Sequence, residues 1–191
     1  MFYKIKQENH QREYLESPGT RTTNNMNDII INSNRAFFKG KRYRCALGKS
    51  GVSINKKEGD GFTPVGCFPI RLVLYRPDRF EKAPQTIFST RPLSQSDGWS
   101  DDTNSSEYNT LIKLPYGGSH EKLWRDDHIY NIIVILGYND DPPVAGKGSA
   151  IFIHLAREEY FPTAGCIAFS VEDLLEILGT VNIETHVCVQ K

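Results

Sequence analysis

The residues of this chain best suited to covalent chemistry are a histidine and a cysteine twelve positions apart, His154 and Cys166. His154 stands near the end of an apolar run, Ser149-Ala150-Ile151-Phe152-Ile153-His154-Leu155. Cys166 opens another, Cys166-Ile167-Ala168-Phe169, directly after Gly165. Between them lies a polar stretch with Pro162. The pattern predicts a strand that delivers an imidazole at its end, a loop, and a second element that begins at a thiol. A thiol is mostly protonated near neutral pH, and an adjacent imidazole that takes its proton raises the thiolate fraction and makes a nucleophile. Gly165 has no side chain, so an acyl group can come close, and backbone N–H groups at Gly165 and Cys166 can face a developing oxyanion. The bland alternative is a small buried hydrophobe beside a satisfied strand histidine, and spacing alone leaves both readings open.

Other familiar signals fail on counting. Gly48-Lys49-Ser50 resembles the end of a phosphate loop, but the first glycine of that motif would fall at Tyr43. Gly146-Lys147-Gly148 begins like a dinucleotide fingerprint, yet its third glycine position is Ile151. His120-Glu121 lacks a second histidine, because position 124 is Trp124. The cysteines Cys45, Cys67, Cys166 and Cys188 form no C-x-x-C pair, which argues against a zinc ribbon. His186 and Cys188 lack further ligands nearby and read as strand residues.

The elements that must position His154 and Cys166 are mostly strands. Ile29-Ile30-Ile31, the alternating Arg42-Tyr43-Arg44-Cys45-Ala46-Leu47, and residues 67–75, 111–114, 130–137, 149–155 and 187–189 carry strand signals. Long loops rich in Gly, Pro, Asn, Asp and Ser join them. One amphipathic helix declares itself late: Ser170 is a good N-cap, Val171, Leu174, Leu175 and Leu178 share a face, and Gly179 stands where a C-cap belongs. A weaker helix is expected near residues 120–126. Residues 1–27 are polar and read as an N-terminal arm, and residues 28–191 as one domain.

Composition narrows the function classes. The 191 residues hold 23 Lys+Arg against 23 Asp+Glu, and a net charge of zero argues against a dedicated nucleic-acid binder. The longest aliphatic run, Ile132–Leu136, is far below the roughly 18 residues of a membrane helix, so no membrane insertion is expected. The start of the chain lacks the apolar stretch of a signal peptide, since Gln7-Glu8-Asn9-His10-Gln11-Arg12-Glu13 occupies its place. Reduced cysteines are the corresponding expectation.

The segment from His154 through Thr163-Ala164-Gly165-Cys166-Ile167 is similar to the active-site signature of the L,D-transpeptidase catalytic domain (YkuD) family. Thr63-Pro64-Val65-Gly66-Cys67-Phe68 resembles that family's second hallmark, Thr-Pro-x-Gly-x-Phe. Gly98-Trp99-Ser100-Asp101-Asp102, Tyr108-Asn109 and Leu136-Gly137-Tyr138-Asn139-Asp140 resemble its YkuD-like L,D-peptidoglycan transpeptidase branch. The usual family histidine before Gly-Cys is Ala164 here, the usual arginine two residues after the cysteine is Ala168, and the usual glycine after the strand histidine is Leu155.

The resemblance implies a mainly β fold, a single-domain mixed β-sandwich with long loops and one C-terminal helix. It implies acyl transfer on peptidoglycan stem peptides. Cys166 would attack the carbonyl at the L-centre of diaminopimelate, and the thioester would pass to an amine. His154 would act as base, with Gly165 and Cys166 at the oxyanion, and Leu155, Thr163, Tyr138, Asn139 and Trp99 would bind substrate. No metal or organic cofactor is implied. A cell-envelope or periplasmic location is implied, against a cytoplasmic one if the N-terminus is taken at face value. Two alternatives stay open: a carboxypeptidase or amidase on the same substrate, and a non-catalytic wall-binding module. Oligomeric state also stays open.

Overall fold

Alternating burial builds the first strands of the computed structural model, which describes residues 26–191. The arm read over residues 1–27 lies outside the described residues as far as residue 25. Strand β1 (Ile29–Asn32) buries Ile29 and Ile31, and β2 (Arg35–Phe38) buries Ala36 and Phe38. The turn into β3 (Lys41–Arg44) is Lys39-Gly40, with φ of 46° and 78°, the double positive φ of a tight hairpin. A short parallel pair, β4 (Val52–Ser53) and β5 (Thr63–Pro64), precedes the ten-residue β6 (Gly66–Tyr75), which β7 (Thr90–Pro92) joins in parallel.

A small antiparallel sheet follows, made of β8 (Asp97–Ser100), β9 (Leu111–Lys113) and β10 (His120–Lys122) with β8 in the middle. Then come β11 (Ile132–Leu136), β12 (Phe152–Leu155), β13 (Ile167–Phe169), helix α1 (Val171–Thr180) and β14 (His186–Val189). The large sheet runs β13-β12-β11-β6-β14-β1-β2-β3, with β7 attached to β6. Beyond β3 the chain returns to β13, where Ala46 and Ala168 exchange both backbone hydrogen bonds at 2.8 and 2.9 Å. The fold is therefore mainly β, with one helix near the C-terminus and a sheet nearly closed into a barrel.

Both faces of the sheet are covered at β11, β12 and β13, which are buried at every position. Ile132, Val134, Ile153, Leu155, Ile167 and Phe169 point into the inner core, where α1 adds Leu174, Ile177 and Leu178. Ile133, Phe152 and Cys166 point the other way, into a cluster with Trp99, Leu123 and Tyr130. His154 shares a face with Phe152, two residues before it in the strand.

Three local expectations are corrected. Residues 120–122 form β10 rather than a helix, because Glu121 pairs with Trp99 and His120 with Ser100 across β8. Helix α1 begins as read, with Ser170 Oγ accepting from Asp173 N at 3.1 Å, but it runs past Gly179 to Thr180. The cysteines are not all reduced: Cys67 and Cys188 form a disulfide. They sit directly opposite in the antiparallel pairing of β6 with β14, a position that no spacing rule in the sequence reveals. Cys45 and Cys166 remain free and buried.

The bridge spans 121 residues, so it removes much of the freedom of the unfolded chain. Replacing Cys67 and Cys188 together by serine should lower unfolding free energy by about 2–5 kcal/mol. Denaturant melts of parent and variant, with the bond checked by non-reducing mass spectrometry, test this. Equal midpoints would show that the bridge adds nothing.

Candidate active site

Strands β12 and β13 lie side by side in parallel, with Ile153 beside Ile167 and His154 beside Ala168. That register puts His154 and Cys166 on the same face of the sheet, diagonally across two strands. The loop between them makes one 3-10 turn at Glu158–Tyr160 and is tied at its end by Thr163. Thr163 Oγ1 accepts from Gly165 N at 3.1 Å and donates to the Cys166 carbonyl at 2.7 Å. Gly165 has a φ of 143°, and a Cβ there would lie 2.9 Å from the carbonyl oxygen of Phe62. Only glycine lets the cysteine segment pack onto the Phe62-Thr63 segment so closely. The two sequence hallmarks, far apart in the chain, meet at this contact.

Cys166 Sγ donates to the carbonyl of Ala150 at 3.1 Å and accepts from Phe152 N at 3.4 Å. Burial pushes its thiol up to about 12. His154 is 6% exposed, and its Nδ1 lies 2.9 Å from the carbonyl oxygen of its neighbour Leu155. A carbonyl only accepts, so Nδ1 carries the proton and Nε2 is the basic nitrogen. Burial, partly offset by that Leu155 carbonyl and reinforced by the Arg157 and Arg125 charges, lowers His154 to about 4. The resting pair is therefore a thiol and a neutral imidazole, with no hydrogen bond between them. The thiolate that His154 was expected to favour is absent at rest because burial penalises charge on both groups.

Both side chains line one cavity of about 560 Å³. Tyr130 packs edge-on against the His154 ring at 5.3 Å and donates its hydroxyl to Glu121 Oε1 at 2.6 Å. Burial raises the Glu121 carboxyl. Opposite charge enters through Lys49, Lys56, Arg125 and Arg157. Lys56 is buried and paired with Asp60 at 2.6 Å. Ala164 and Ala168 also line the cavity, so the cations reach it from other segments.

Of the other residues read as substrate contacts, Thr163 lines the cavity. Leu155 sends its side chain into the inner core and contributes its carbonyl to His154. Trp99 lies behind the cavity wall, edge-on to Phe152 at 5.0 Å, with Nε1 donating to Asn109 Oδ1 at 3.0 Å. Tyr138 donates to the Lys147 carbonyl, and Asn139 bonds to Val144 and Gly148, so both brace their own loop. Sequence reasoning missed Tyr130, Glu121 and Lys56. For Lys56 and Asp60 the four-residue spacing of opposite charges was the available signal; Glu121 and Tyr130 offered none.

The burial of His154 has a consequence for stability. Its imidazole takes a proton near 6.5 when unfolded and near 4 when folded, so between those values the unfolded chain binds more protons. Stability should be full above pH 6.5 and fall as pH drops toward 4, by about 3 kcal/mol from this residue. Urea melts across pH 4–7 should show this extra slope in the parent and not in His154→Gln. Identical slopes would mean His154 charges freely in the folded state.

A family model described as the L,D-transpeptidase catalytic domain, YkuD, matches residues 27–189. Comparison with curated proteins and with solved structures gives no match. The match takes in every described strand, both segments that meet at Gly165, and the His154–Cys166 cavity between them. The chain belongs to the L,D-transpeptidase catalytic-domain (YkuD) family, whose activity is directed at peptidoglycan.

Proposed function

We propose that the protein is a cysteine-dependent L,D-transpeptidase acting on peptidoglycan stem peptides. The observation that carries this reading is the placement of Cys166 and His154 on one wall of one cavity, with His154 Nδ1 committed to the Leu155 carbonyl. That commitment leaves Nε2 as the group able to accept a proton. Deprotonation before attack is unfavourable, because burial raises the thiol and lowers the imidazole. The proton therefore leaves Sγ for Nε2 as the carbon–sulfur bond to the stem-peptide carbonyl forms.

The resulting oxyanion needs a donor. Gly165 N–H is already bonded to Thr163 Oγ1, so the role falls to the N–H of Cys166. Collapse of the tetrahedral species breaks the carbon–nitrogen bond, and the imidazolium returns its proton to the departing amine of the terminal D-amino acid. An amine then attacks the thioester, His154 takes its proton, and Cys166 leaves as the thiol. The Cys67–Cys188 bridge supports an oxidising compartment, the cell envelope, where peptidoglycan is found.

Purified muropeptides incubated with the protein and followed by mass spectrometry test the reading. The parent should give cross-linked dimers or exchanged termini. Cys166→Ser should give neither while keeping its melting temperature, because a hydroxyl is far less acidic than a thiol. His154→Ala should be slower by about 10²–10⁴-fold. Full turnover in Cys166→Ser would overturn the mechanism, and shortened stems as the sole product would make water the acceptor.

A further inference from the structure

The proton of the Cys166 thiol is held by the carbonyl of Ala150, so whatever fixes Ala150 acts on the nucleophile. Ala150 has a φ of 52°, in the left-handed region that a residue with a Cβ rarely occupies, so surrounding contacts must impose it. The contact on its own peptide is Asn109. Asn109 Oδ1 accepts from Ala150 N at 3.0 Å and from Trp99 Nε1 at 3.0 Å. Its Nδ2 donates to the carbonyls of Tyr138 at 3.0 Å and Asn139 at 2.8 Å. The amide thus uses both lone pairs and both hydrogens, at a site that is 5% exposed. It joins the small sheet, the 138–139 turn and the start of the histidine strand. Its neighbour Tyr108 accepts from Gly148 N at 3.1 Å and braces the same segment.

We infer that Asn109 is a positioning residue for the nucleophile. Its amide clamps Ala150, and the Ala150 carbonyl thereby parks the Cys166 proton away from His154 until substrate arrives. The inference rests on reading Cys166 as the nucleophile. Donation of S–H to a carbonyl stabilises the thiol over the thiolate, so the clamp lowers intrinsic reactivity while it holds Sγ in place. Loosening it should move two readouts in opposite directions. Alkylation by a small reagent should become faster, and transfer to substrate slower. A residue that merely supports the fold would slow transfer without making the thiol more acidic.

The ionisable groups facing Cys166 are Glu121 and Tyr130 from the small-sheet side, Lys56 from the loop before β5, and His154 on β12. None is altered by a change at Asn109. The test uses Asn109→Gly, which tolerates the positive φ of 58° while deleting the amide. Iodoacetamide labelling, in which the thiolate displaces iodide, is followed at Cys166 by peptide mass spectrometry across pH 7–10. Cys45, 1% exposed, is the internal control for global opening.

Asn109→Gly should label at Cys166 about tenfold faster at each pH, which corresponds to a fall of about one pKa unit, while muropeptide turnover falls about tenfold or more. Cys45 should stay unlabelled. A parental labelling rate in Asn109→Gly with Cys45 protected overturns the clamp. If Cys45 reacts too, the variant has opened and the ratio of the two labelling rates decides: Cys166 at least tenfold faster than Cys45 supports the clamp, and a smaller ratio overturns it. The labelling arm needs no substrate, so its failure is distinct from failure of the transpeptidase reading, which Cys166→Ser turnover reports.

Discussion

The pairing of β12 with β13 holds a single register, Ile153 beside Ile167, and the candidate site depends on it. Side chains alternate along a strand, so a slip of one residue would send His154 into the inner core and bring Ile153 to the cavity. The register is held from both sides. Ile153, Leu155, Ile167 and Phe169 are buried among the inner-core residues, and no polar alternative would replace them without loss. Beyond β13 the chain is pinned again by the exchange of hydrogen bonds between Ala46 and Ala168. The near-closure of the barrel thus sits two residues from Cys166, and the stiffness of the large sheet is passed to the position of the thiol.

The same burial that fixes geometry sets the chemistry. Cys166 and His154 are 8% and 6% exposed, and in that environment neither charged form is favoured. The outcome is a neutral resting pair with Sγ held between Ala150 and Phe152 and Nδ1 on Leu155. Such an arrangement protects a thiol from adventitious reaction. The cavity brings Glu121 together with Lys49, Arg125 and Arg157.

Contacts distant in sequence carry most of this organisation. Gly165 against Phe62, Asn109 against Ala150 and Cys67 against Cys188 each join segments from different parts of the chain. The loops between strands are long, yet their ends are tied by side-chain amides and hydroxyls rather than left to conformational entropy. Asn139 closes its own turn, Thr163 closes the cysteine loop, and Asp60 gathers Lys56, Lys57 and Phe62 around one carboxylate.

Local pattern determined much of this protein. Runs of β-branched and aromatic residues mark β1, β3, β6, β11, β12 and β14 of the large sheet, Ser170 starts the helix, and the order His154, Gly165, Cys166 marks the two residues that share the cavity. These are short-range properties, set by side-chain period and capping, and they survive without knowledge of neighbours. Tertiary structure decided the rest. Residues 120–122 became a strand only because β8 offered them partners, and Cys67 met Cys188 only because β6 and β14 are adjacent. The neutral state of the pair followed from how many atoms surround it. Asn109, plain in the sequence, ties Trp99, the 138–139 turn and Ala150 together because four partners from three segments converge on one amide. Burial and convergence depend on the whole fold, and no local window of sequence contains them.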